Sequence, residues 1–206
     1  MPGISRMFTL YIFIGLSLIS PLFICSQAWE FEEEDGGIKI YLRDEPGSSL
    51  KAYKGVVVLN AEMDYLYRLI VDFDNYNRWV EDIEGMKTLS FVEDSSYIYY
   101  MVFKMPWPYS NRDLVAEAIV TMEPSDRQRI VYSKPIPDHL AEQEDLIRIR
   151  EFWQRWTITR LDSQRVELIL EGFTDPAGPI PAWLYNMLIV NTPRDLLKNI
   201  RKEVLQ

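Results

Sequence analysis

The sequence predicts an α+β domain: an antiparallel sheet with one early helix and one long C-terminal helix. Three observations predict it. Residues 61–73 place Met63, Leu66, Tyr67, Ile70 and Val71 at the three-and-four spacing of one buried helical stripe. From residue 87 to 173, apolar segments follow one another across short turns such as Asp94-Ser95-Ser96, Pro124-Ser125-Asp126 and Asp162-Ser163-Gln164. Connections that short join antiparallel neighbours, since a parallel crossover takes a dozen or more residues. Finally, Gly178-Pro179-Ile180-Pro181 opens a last helical segment, with Pro181 suited to a first turn.

Strands are expected at 38–42 and 52–59, joined as a hairpin across Asp44-Glu45-Pro46-Gly47-Ser48-Ser49. Asn60 is placed to cap the helix over 61–73, and 74–80 reads as a second short helix carrying Trp79. Further strands fall at 87–92, 97–104, 114–122, 129–133, 146–159 and 165–173. The last helix runs from 181 to about 204, with Trp183, Leu184, Met187, Leu188, Leu196, Leu197 and Ile200 as its apolar positions. Pro193 lies inside it and is expected to kink it, because proline lacks the backbone donor and crowds the preceding turn.

Alternation assigns faces. In 111–122, Asp113 and Glu117 share a face with Val115 and Ile119, which leaves Leu114, Ala116, Ala118 and Val120 as a wholly apolar opposite face. In the preceding strand Lys104 marks the outer face, so Tyr97, Tyr99, Met101 and Phe103 point inward. The inner faces mix large aromatics with small alanines. The last helix then either fills this concavity or leaves room inside it.

A chain of 206 residues, 48% apolar, has the length and composition of one packed domain. With a single Cys, Cys25, and a single His, His139, it lacks the residues for disulfide frameworks, Cys/His zinc sites, haem attachment and most triads. A formal charge of −9 and a pI near 4.8 repel nucleic-acid phosphates, so no nucleic-acid partner is expected. No cofactor and no metal is expected either. His139 sits in a Pro-containing loop and reads as a solvated residue. The five acids of 30–35 read as a solvated start to the domain rather than a metal site.

Residues 1–28 have the layout of a secretory signal peptide: Arg6, an uncharged apolar stretch over 7–25, then Ser26 and Ala28 as small residues ahead of a cut after Ala28. The expected mature domain is 29–206, exported and periplasmic. An uncleaved anchor is the alternative, because about 20 apolar residues span a bilayer.

Two motifs resemble the START family, the steroidogenic-acute-regulatory-protein-related lipid-transfer domains. Pro106-Trp107-Pro108-Tyr109-Ser110-Asn111-Arg112-Asp113 is similar to the family's P-W-P-x-x-x-R-D segment. Asp175-Pro176-Ala177-Gly178-Pro179-Ile180-Pro181-Ala182-Trp183-Leu184-Tyr185-Asn186 resembles its D-P-x-G-x-I-P-x-W-L-x-N opening of the last helix. The resemblance spans 29–206 and implies a helix-grip fold, in which the curved sheet and the C-terminal helix enclose an elongated apolar cavity for one lipid. It implies ligand contacts from Tyr97, Tyr99, Met101, Phe103, Arg112, Leu114, Ala116, Ala118, Trp183 and Met187. The mouth would be guarded by the last helix and by the stretches 123–127 and 173–179. Where the cholesterol-binding branch has a cavity acid and a second Arg, this chain has Tyr99 and Ala118. A charged pair for a sterol is not carried over.

By its own chemistry, the Pro106-Trp107-Pro108 corner must leave the sheet, with Trp107 free to cover the end of the core. Arg112 serves either structure or a ligand headgroup, and Arg148 and Arg150, sharing one strand face, are further headgroup candidates. The expected function is non-enzymatic binding and transfer of a lipid or other hydrophobic small molecule by a monomer in transient membrane contact. The alternative is an aromatase/cyclase-like enzyme on the same fold, for which Tyr97, Tyr99, Arg112 and acids such as Glu151 form no evident acid–base motif. A binding module for another envelope protein is the third reading.

Overall fold

A computed structural model describes residues 28–81 and 83–205. The expected signal segment, apart from Ala28, lies outside the described residues. Ten strands form one curved, open sheet. They are β1 (Glu30–Asp35), β2 (Ile38–Asp44), β3 (Lys51–Asn60), β4 (Ile83–Val92), β5 (Ser96–Phe103), β6 (Arg112–Met122), β7 (Gln128–Pro135), β8 (Ile147–Arg148), β9 (Phe152–Arg160) and β10 (Arg165–Thr174). Their spatial order is β1-β2-β3-β10-β9-β7-β6-β5-β4, antiparallel throughout, with the short β8 lying parallel beside the start of β6. The helices are α1 (Met63–Val71), a 3-10 helix (Phe73–Arg78), a single 3-10 turn (Pro137–His139), α2 (Ala182–Leu188) and α3 (Asn191–Val204).

The α1 stripe is the predicted one: Met63, Leu66, Tyr67 and Ile70 are buried. The helix packs on β9, the 3-10 helix on β4, and α3 on β3, β2 and β10. Gly55 of β3 is required by that last contact. A Cβ there would stand 2.6 Å from Leu197 Cδ1 and 3.1 Å from Pro193 Cβ, so only glycine lets α3 settle this close.

Three local expectations are corrected. Asn60 does not cap α1. It ends β3, and the helix begins after Glu62 without a side-chain cap. The strand expected at 146–159 is two pieces, β8 and β9, because residues 149–151 leave the ladder where Ile149 N–H bonds to Asp113 O and Glu151 O accepts from Asp175 N–H. The last helix is not one kinked rod. It breaks at Ile189–Val190, and Pro193 falls in the first turn of α3, where a missing N–H costs nothing. The acidic start is solvated as expected and forms the edge strand β1, whose Glu33 and Asp35 pair with Arg194 (2.9 Å) and Lys198 (2.5 Å) of α3.

Candidate functional site

The inner face of the sheet follows from alternation as expected. Leu114, Ala116 and Ala118 are fully buried, Tyr99 and Met101 are buried, and Tyr97 and Phe103 are half-buried. They belong to one continuous core with Trp156, Ile158, Leu168, Leu170, Leu197 and Ile200. Phe73 stacks on Tyr99 at 4.5 Å between ring centroids, which fixes the 3-10 helix over the β5 end of this face. The opposite face is also covered. Val115 and Asp113 are buried there by the segment from Ile136 to Ile149, so the polar side predicted for β6 is a second interface.

The ladder register runs one row straight across the inner face: Tyr53, Gly172, Gln154, Ser133, Ala118 and Tyr97 stand opposite one another in turn. The neighbouring row is apolar: Gly55, Leu170, Trp156, Val131 and Val120. Trp156 Nε1 donates to Gln154 Oε1 at 3.0 Å, and Gln154 Nε2 donates to Tyr53 Oη at 3.4 Å. Because indole can only donate, that bond sets the amide's orientation. Burial pushes the Tyr53 hydroxyl up to about 12, with the Gln154 hydrogen bond opposing. Burial raises Tyr99 as well. Tyr53, Gln154 and Ser133 were not anticipated. The signal available was their place in the apolar half of the alternation in β3, β9 and β7.

The two sequence motifs clasp one another. Arg112, 1% exposed, donates Nε to Pro176 O (2.9 Å), Nη2 to Ala177 O (3.1 Å) and Nη1 to Ser110 O. Burial lowers its affinity for the proton, and three carbonyls rather than a carboxylate receive the charge. The carbonyls are presented by a sharp turn: Ala177 and Gly178 both have positive φ, and Asp175 Oδ1 accepts from Ala177 N–H at 2.7 Å. Asn186 then anchors α2, accepting from Lys51 N–H (2.9 Å) and donating to Ser49 O (3.0 Å). Arg112 is therefore a structural clasp, not a free headgroup ligand.

Arg148 is likewise spoken for. It forms a two-point pair with Asp113 (2.9 and 2.8 Å) and further bonds to the carbonyls of Pro137, Leu140 and Ala141. Arg150 is exposed and pairs with Asp138 and Glu142. Glu151 is exposed.

Three apolar side chains are placed differently from expectation. Trp107 is 93% exposed and does not cover the core, because its loop is held outward between Pro106 and Tyr109. Trp183 and Met187, expected to line the cavity, are 69% and 60% exposed, since the Asn186 anchor turns the other side of α2 to the sheet. The stretches 123–127 and 173–179 do not share a mouth. Register places the first beyond Met122 and Arg129, at the Asn60 end of the sheet, and the second beyond the Thr174–Phe152 pair, at the opposite end.

A curved antiparallel sheet gripping a C-terminal helix over an apolar inner face defines a helix-grip domain. Within that class the chain belongs to the START domain family, whose model matches residues 25–206. A solved STAR-related lipid transfer protein from Xanthomonas axonopodis superposes with a TM-score of 0.80 at 29% identity, over 86% of this chain and 99% of that one. Among curated proteins, the phosphatidylcholine transfer protein of Mus musculus is 28% identical over 84% of this chain and 82% of its own length. An uncharacterized protein of Pseudomonas aeruginosa is 29% identical over 85% and 86% respectively.

Proposed function

We propose that the protein is a non-enzymatic carrier that takes one lipid, or a hydrophobic molecule of similar size, between the inner sheet face and the C-terminal helices. The observation that carries this reading is the match, along the full length of sheet and final helices, to proteins named for lipid transfer. The energetics agree. A sixteen-carbon chain gains roughly 13 kcal/mol on leaving water, at about 0.8 kcal/mol per methylene, and a bilayer offers it the same gain. Exchange between protein and membrane is thus near balance and runs without an energy source.

Transient membrane contact belongs to the same proposal. Trp107, Trp183 and Met187 expose apolar surface on two segments that the Arg112 clasp joins, beside the α2 end of the sheet. Exposed Trp suits the boundary between water and lipid, where its ring is buried and its N–H stays wet. The mature chain is proposed to begin at Trp29 and to act outside the cytoplasm as a monomer. The cyclase reading has less support: Asp113 is spent on Arg148, and the inner row supplies hydroxyls and an amide rather than an acid–base pair.

The test is native mass spectrometry of the protein purified from its own envelope, alongside lipid transfer between vesicles. A bound lipid mass and protein-dependent transfer are expected. Protein that arrives bare and moves no lipid class would overturn the proposal.

A further inference from the structure

The apolar face beside the clasp carries no charge of its own. Residues 105–111 and 176–193 contain no charged side chain, and the large apolar side chains they expose are Trp107, Trp183, Met187 and Leu188. The two stretches share one end of the sheet. Arg112 Nε donates to Pro176 O (2.9 Å), and a Cβ on Gly178 would stand 3.3 Å from Ile147 Cδ1 and 3.4 Å from Arg112 Nη2. Gly178, Pro179 and Pro181 are exposed with them. Arg112 lends the face no charge, because it is buried and its guanidinium is spent on carbonyls.

Around this face the charges are mostly negative. Asn111 Nδ2 donates to Glu84 (2.8 Å) and Asp175 N–H to the Glu151 carbonyl (2.8 Å), while Ile147 N–H donates to Asn111 O (3.1 Å) and so brings Glu144-Asp145 beside the same loop. Glu84, Glu144, Asp145 and Glu151 are all exposed. Of the cations there, Lys51 pairs with Asp44 (2.8 Å) and Arg150 with Asp138 (3.2 Å) and Glu142 (2.6 Å), which leaves the exposed Lys104 against those acids. The whole chain adds a formal charge of −9. A basic face gains affinity from anionic headgroups, whereas an acidic rim loses it, over a range of about 8 Å at physiological salt. What remains attractive is burial of the indoles, Met187 and Leu188 at the level of the headgroups, which needs no charge in the lipid.

We infer that this face docks on a zwitterionic bilayer surface and that anionic lipid weakens the contact. Membranes are thereby sorted by headgroup charge: the protein loads and unloads where phospholipids without net charge face it. The inference rests on the membrane contact of the carrier reading above and names the surface contacted.

The experiment is cosedimentation of the protein, purified from its own envelope, with phosphatidylcholine vesicles lacking or containing about 30% phosphatidylglycerol, at about 0.05 M and about 0.5 M NaCl. Transfer of radiolabelled envelope lipid to the same vesicles is followed in parallel. Binding to the zwitterionic vesicles should agree within about twofold at the two salt concentrations. Phosphatidylglycerol should lower binding at least about threefold at low salt, and high salt should restore it, the reverse of what a basic face does. Glu144→Lys combined with Asp145→Lys and Glu151→Lys, all at exposed positions, should turn that loss into a gain. Trp107→Ala with Trp183→Ala should weaken binding to zwitterionic vesicles at least about fivefold. Phosphatidylglycerol that strengthens binding of the parent protein at low salt would overturn the inference, and continued transfer would leave the carrier reading standing. Unchanged binding without the two tryptophans would overturn it as well, by placing the contact elsewhere. If no lipid moves to any vesicle, the carrier reading falls, while the sign of the phosphatidylglycerol effect still decides the docking face.

Discussion

The ring of Tyr53 lies across Gly172, so closely that a Cβ on Gly172 would stand 2.4 Å from the Tyr53 hydroxyl oxygen and 2.5 Å from its ring carbon Cζ. The missing side chain on β10 is thus the space that Tyr53 of β3 occupies to reach Gln154. Gly172→Ala must push a buried ring aside in a close-packed interior. It should cost about 1–3 kcal/mol, read as a lowered urea midpoint. Gly172→Ala paired with Tyr53→Ala, which vacates the space, should show less than the summed loss.

The pair between Asp113 and Arg148, each side chain 1% exposed, holds the outer covering segment to β6. Removing one partner strands a buried charge. Arg148→Met should therefore destabilise by about 3–5 kcal/mol in urea unfolding, whereas Arg150→Met, on an exposed residue, should leave the urea midpoint essentially where it was.

The clasp predicts coupling between two distant motifs. Arg112→Lys retains the charge but cannot reach three carbonyls on two loops with one ammonium. Backbone amides of residues 174–180 should exchange hydrogen faster, and bound lipid should dissociate several-fold faster. Unchanged exchange in that stretch would show that the turn holds itself.

Trp107 and Trp183 should act at a membrane and not in folding. Trp107→Ala with Trp183→Ala should leave the urea midpoint within about 0.5 kcal/mol of the parent, as surface changes do. Vesicle binding should fall. Quenching of tryptophan fluorescence by brominated lipid reports the contact directly.

Alkaline stability follows from the buried tyrosines. The Tyr53 hydroxyl is held at about 12 in the fold against 10 in the open chain, because burial disfavours its anion. The folded state thus keeps the proton longer. Its contribution, on the order of 2–3 kcal/mol, is fully present below pH 10 and is lost as pH rises from about 10 through 12. Tyr99 and Tyr76 are raised in the same direction by the same cause. Urea midpoints followed with pH should decline above 10, and Tyr53→Phe should decline less steeply.

Periodicity alone made α1, the β2–β3 hairpin and the inner faces of β5 and β6 legible, because each depends on a local alternation of apolar residues. The two motifs located the clasp without revealing that Arg112 of one binds the carbonyls of the other, a contact between residues 64 apart in sequence. The division of 146–159 into β8 and β9 was hidden because its cause is tertiary: Glu151 and Ile149 leave the ladder for partners elsewhere. Tyr53, Gln154 and Ser133 become a row only through the pairing of four strands, and no single segment displays that register. Trp183 and Met187 look buried on any helical wheel. Asn186 decides otherwise by tying the other side of α2 to Lys51 and Ser49.

The acidic strand β1 has a consequence for life at high concentration. An open sheet ends in unpaired N–H and C=O groups, to which a second molecule can add its own strand. Here that border reads Glu-Phe-Glu-Glu-Glu-Asp. Two copies approaching border to border would set one row of carboxylates against another, while the cations of α3 that hold Glu33 and Asp35 stay within their own chain. Repulsion at the rim lets the sheet remain open-ended without becoming a seed for stacking.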